Sequence, residues 1–171
     1  MNASSGLAPS ATAQEICTAV QQWVNELPTG TVELLERPIP EFDEYGLERI
    51  LMLRPAKVSG CPLELGVTGP TEGPGVYISI DTAGKLAQRL GLEFHRPSDM
   101  IVLYREPVPM SVPKVLEVCQ AVSDGDVELT VGIIARRIVS TAGGVRTPSG
   151  ELRLHGIEPW LPMLTLSLIH I

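Results

Sequence analysis

The chain has 171 residues, 44% of them hydrophobic and 19% charged, with a formal net charge of −7. That composition supports one ordinary domain with its own core and excludes wholesale disorder or a fibrous class. The acidic balance argues against general binding to nucleic acid or to anionic membranes, since both require a basic surface.

Aromatics make up only 4% of the chain, so the core has to be built from Leu, Ile, Val and Ala. Cys17, Cys61 and Cys119 are odd in number and widely spaced, with no C-x-x-C, which suggests neither a disulfide framework nor a zinc site. Residues 1–11 lack the basic and apolar regions of a signal peptide and read as a flexible leader. No stretch approaches the apolar length that crosses a membrane, and a cytoplasmic location is expected.

The first element is a helix over Thr12–Leu27. Thr12 and Glu15 have capping-box spacing, and Ile16, Val20, Trp23, Val24 and Leu27 recur at helical intervals. Strands are expected at 31–36, 49–54, 63–67 and 76–80. The run Arg49–Arg54 is continuously apolar between its arginines, as in a strand covered on both faces. In 76–80, Val76, Ile78 and Ile80 point one way while Tyr77, Ser79 and Asp81 point the other. Asp81 or Thr82 caps a short helix ending near Leu90, and Met100–Tyr104 is a short strand.

Ser111 and Pro113 open a third helix that Gly125 stops. Val127–Ile133 alternates as a half-buried strand does. The turn signal Thr147-Pro-Ser-Gly150 then joins it to a terminal hairpin, with Leu152 and Leu154 inward and Glu151, Arg153 and His155 outward. The expected fold is a single α+β domain over residues 12–165: a mostly antiparallel sheet, helices packed on one face, and a C-terminal β-hairpin.

Leu166–Ile171 resembles the translation of a transposon mosaic end used as a sequencing adapter. We therefore set residues 166–171 outside the fold as a non-native tail, expect the natural chain to continue differently beyond about residue 165, and give His170 no functional weight.

Three motifs suggest chemistry and yield to simpler readings. Ser111-Val-Pro-Lys114 matches S-x-x-K, but the S-D-N and K-T-G elements of serine-acylating enzymes are missing, so Ser111 is read as a helix cap. Asp81-Thr-Ala-Gly-Lys85 has a Gly-Lys after a strand, yet Ser79 and Leu86 stand where a phosphate loop needs Gly and Ser or Thr. His95 and Asp99 share a polar loop and form a weak catalytic candidate, with Cys61 or a serine as nucleophile. No spacing of metal ligands is present, and neither a metal nor another cofactor is expected.

The fourth feature is acidic. Glu33, Glu36, Glu41, Asp43, Glu44 and Glu48 are opposed within their segment by Arg37 and Arg49, and Phe42 and Tyr45 lie among them. A loop presenting Glu41, Phe42, Asp43, Glu44 and Tyr45 together has the chemistry of a partner-binding surface. Aromatics supply buried area and carboxylates steer a basic protein. The competing reading is a solvated loop whose aromatics fold back onto the sheet. The functional expectation is a non-enzymatic acidic binding domain of bacterial type, either a cognate (immunity-like) inhibitor or an assembly subunit. The alternative is a small hydrolase or transferase using His95 and Asp99.

Overall fold

A computed structural model describes residues 12–69, 75–90, 102–134, 137–156 and 167–170. In chain order these form α1 (Ala13–Glu26), β1 (Val32–Arg37), β2 (Leu47–Pro55), β3 (Leu63–Thr68), β4 (Val76–Asp81), α2 (Ala83–Leu90), β5 (Val102–Val108), α3 (Val112–Asp124), β6 (Val127–Ile134), β7 (Arg137–Thr147), β8 (Gly150–His155) and β9 (Ser167–His170). The strands join in one antiparallel sheet of order β1-β2-β3-β4-β5-β8-β7-β6-β9. None of the described helices is long and apolar enough to cross a membrane.

Alternation along the strands decides which side is covered. Leu53, Leu63, Leu65, Ile78, Ile80, Leu103 and Leu129 are all buried on one face. Against that face lie Ile16 and Val20 of α1 and Val115, Val118 and Val122 of α3, which share a single core with the strand residues. Each fully buried Leu, Ile or Val side chain contributes about 1.5–3 kcal/mol relative to exposure, so this shared face is the dominant stabilising term. The α+β architecture with helices on one face and a β7–β8 hairpin is as the sequence predicts.

α1 begins with its expected capping box. The Thr12 hydroxyl accepts from the Glu15 N–H at 3.3 Å, and the Thr12 N–H donates to the Glu15 carboxylate at 2.7 Å. α3 differs from expectation at its start. Ser111 has the extended backbone of an N-cap, but its side chain makes no capping hydrogen bond; Pro113 in the first turn already removes one of the N–H groups needing a partner. At the other end Gly125 takes φ 91°, a left-handed value that glycine alone adopts at little cost, as predicted for the stop.

Two strands depart from the reading of the sequence. β5 runs four residues past Tyr104, through Arg105, Glu106 and Pro107 to Val108, and pairs with β4 across a register shift. Those residues carry no apolar alternation, and pairing between backbones supplies what the side chains do not. β7 is eleven residues long and takes in Gly143 and Gly144, because it is an interior strand hydrogen-bonded on both sides, to β6 and β8.

Ser167–His170, set outside the fold from its sequence, lies antiparallel along β6, with Val131 opposite Ile169. An open strand edge offers backbone groups to any extended segment, so this pairing needs no particular side chains.

Replacing Thr12 by Ala removes the hydroxyl half of the capping box while leaving the backbone N–H that donates to Glu15 and the buried face of α1 intact. Urea denaturation should show a loss of about 0.5–2 kcal/mol with an unchanged m-value. An unaltered midpoint would mean the cap is not stabilising the helix.

Candidate functional site

The lysines of two motifs that suggested chemistry are occupied with structural tasks. Lys85 Nζ donates to the backbone carbonyls of Gly125, at 2.8 Å, and of Val127. Its charge therefore sits at the C-terminal end of α3, where the helix dipole favours a cation, and not on a phosphate. Lys114 turns away from Ser111 and donates to the hydroxyls of Thr147 at 2.7 Å and Ser149 at 2.6 Å. Ser149 in turn donates to Glu117, and these bonds hold the Glu117 carboxyl below its ordinary value. The Glu117 carboxylate also lies 3.6 Å from the Lys114 ammonium nitrogen. The cluster fastens the β7–β8 turn to α3.

Cys17, Cys61 and Cys119 are free and buried. Burial pushes the Cys61 thiol up to about 11 and that of Cys119 to about 12, so neither supplies a thiolate nucleophile near neutral pH. Among the described residues no three His, Cys, Asp or Glu side chains converge as metal ligands. His95 and Asp99 lie outside the described residues. His155 is exposed on the outward side of β8, its ring centroid 6.3 Å from that of Tyr104.

The acidic segment, by contrast, forms a defined surface. Between β1 and β2 the chain crosses the sheet face opposite the helices. Asp43 holds it there, its carboxylate accepting from the N–H of Tyr45 at 3.0 Å and from that of Leu47. Gly46 has φ 63° and its carbonyl accepts from Gly69 N–H at 3.0 Å. Beneath the loop, a Cβ placed on Gly66 would lie 2.8 Å from Leu47 Cδ2, so the bare backbone there gives the Leu47 side chain its present seat on β3. The loop covers Ile50, which is buried although it faces away from the helices, while Met52 on the same face is half-buried.

The two aromatics of the loop have opposite fates. Tyr45 folds back and stacks on Tyr77 of β4, ring centroids 5.4 Å apart and planes 24° from parallel. Phe42 is 96% exposed. Between them opens a groove of about 470 Å³ lined by Pro40, Phe42, Asp43, Glu44, Tyr45, Leu47, Ile50, Glu64 and Tyr77. All three tyrosines of the chain lie on this side, because Tyr104 pairs across from Ser79 and so shares the face of Tyr77. Tyr77, Leu47, Ile50 and Glu64 were not singled out as site residues from the sequence. The outward register of Tyr77 in the 76–80 alternation was the signal that could have found it.

Charge on this surface is narrower than the sequence suggests. Glu36 is bound through two hydrogen bonds by Arg49, Glu33 faces Arg54 at 3.7 Å, and Arg37 pairs with Glu64 at 2.8 Å. Asp43 is spent on its own backbone. Among the described residues Glu41, Glu44 and Glu48 of the segment have no ion pair, and of these Glu41 and Glu44 flank Phe42.

No protein-family model, curated protein or solved structure matches the chain.

Burial pushes the Tyr45 phenol up to about 12, and its hydrogen bond to Glu44 adds to the effect. An unfolded tyrosine ionises near 10. The stability this contributes is therefore complete below about pH 10 and lost as pH rises through about 12. Ultraviolet titration of tyrosinate should show Glu44→Gln moving the Tyr45 step downward toward the ordinary value. A step that stays in place would mean that Glu44 does not bear on the phenol.

Proposed function

We propose that the chain is a non-enzymatic acidic binding domain whose docking element is the loop from Pro38 to Tyr45. Its partner is a basic protein, and the role is that of a cognate (immunity-like) inhibitor of bacterial type or of an assembly subunit, in the cytoplasm. The exposure of Phe42 carries this reading. A phenylalanine held almost wholly in water forgoes about 1.5–3 kcal/mol of burial, which becomes available when a partner covers it.

The way the loop is held supports the same conclusion. Asp43, Gly46 and the Tyr45–Tyr77 stack fix the backbone on either side of Phe42, so little order has to be imposed on binding. Glu41 and Glu44 flank the aromatic and would steer a basic surface toward it, an effect that salt weakens. This division also separates two kinds of carboxylate: Glu44 serves the encounter, whereas Asp43 serves the loop. Charge reversal at Asp43 would disturb folding of the loop as well as steering, so Glu44 is the cleaner probe.

Phe42→Ala removes no packed side chain and should leave the thermal midpoint unchanged. On co-expression with the product of the adjacent gene, the parent chain should retain that product, and Phe42→Ala should weaken the complex more than tenfold, equivalent to about 1.4 kcal/mol or more. Glu44→Lys should slow association, with the difference largest at low salt. A complex indifferent to Phe42→Ala would remove the loop from the interface.

A further inference from the structure

We propose that the groove between Phe42, Tyr45 and Tyr77 seats one cationic side chain, a lysine or arginine presented by the basic partner. This rests on the docking reading above and specifies what enters the groove. The lining divides into three parts. Pro40, Leu47 and Ile50 supply apolar walls suited to the methylene stem of such a side chain. Phe42, Tyr45 and Tyr77 supply rings whose negative faces attract a cation. Glu44 supplies a carboxylate with no ion pair among the described residues.

The other occupants fit less well. An anion would meet Glu44, which has no ion pair among the described residues. A purely apolar side chain would cover Glu44 without offering it a partner, at the cost of desolvating a charge. A lysine or arginine matches all three parts of the lining at once. Both phenols are held above their ordinary values, chiefly by burial, so the rings stay neutral at physiological pH.

The test uses the full chain and three short peptides identical except for a central lysine, norleucine or glutamate. Amide shifts of Phe42, Tyr45, Gly66 and Tyr77 are followed by nuclear magnetic resonance. The lysine peptide should bind at least about threefold more tightly than the norleucine peptide, and the glutamate peptide should not bind. Tyr77→Phe should keep the preference, and Tyr77→Leu should reduce lysine binding by about two- to fivefold. Glu44→Gln, an exposed change, should weaken the lysine peptide and spare norleucine, which keeps the test decisive if Tyr77→Leu fails to fold. Equal binding of lysine and norleucine would overturn the cation seat while leaving the docking loop in place. Absence of shifts with every peptide would also overturn it, and the docking loop would then stand or fall on the Phe42→Ala complex alone.

Discussion

One-sided burial is the constraint from which the rest of the molecule follows. The sheet has apolar residues enough for a continuous covered face, from Leu53 and Leu65 through Ile78 and Leu103 to Leu129, and α1 and α3 pack against it together. An antiparallel sheet of this kind can leave its second face to water. That second face is where the chain places its tyrosines and the loop between β1 and β2, with Glu41 and Glu44 beside Phe42. Polar side chains that might have been catalytic are drawn into holding the helices and hairpin to the sheet: Lys85 at the end of α3, and Lys114 and Glu117 at the β7–β8 turn.

The crossing loop shows how a fixed backbone can export a single side chain. Asp43 satisfies two backbone N–H groups, Leu47 packs over Gly66, and Tyr45 stacks on Tyr77. With its neighbours pinned, Phe42 has nowhere on its own sheet to go. The two aromatics of this segment part ways, Tyr45 folded back onto the sheet and Phe42 left exposed. Tyr45 closes the groove and Phe42 stands at its mouth. An exposed aromatic, apolar walls and a flanking carboxylate are the features on which the proposed docking of a basic protein rests, by buried area and by charge together.

Most elements were legible because their signals are local. The capping box at Thr12 and Glu15, the glycine stop at Gly125 and the alternation in 127–133 and 151–155 each depend on residues within a turn or a strand of one another. Where the reading fell short, the missing information was non-local. β5 continues through Arg105, Glu106 and Pro107 because β4 lies beside it, and β7 tolerates Gly143 and Gly144 because β6 and β8 flank it. The tail strand at Ser167–His170 depends on the open edge of β6 in the same way. For the site, the loop was visible as an acidic segment with two aromatics, but its floor was not.

By itself the sequence determined an acidic α+β domain with helices on one side of an antiparallel sheet, since periodicity of two or 3.6 residues states which side chains share a face. It also determined which segment concentrates carboxylates and aromatics. Only the tertiary structure decided which of those carboxylates are spent, Glu36 on Arg49 and Asp43 on its own loop, and which aromatic is free. It alone brought Tyr77 and Glu64 under Tyr45, from strands β4 and β3 that are distant in the chain. Pairing of a charge and stacking of a ring depend on separation in space, and spacing along a chain does not carry that quantity.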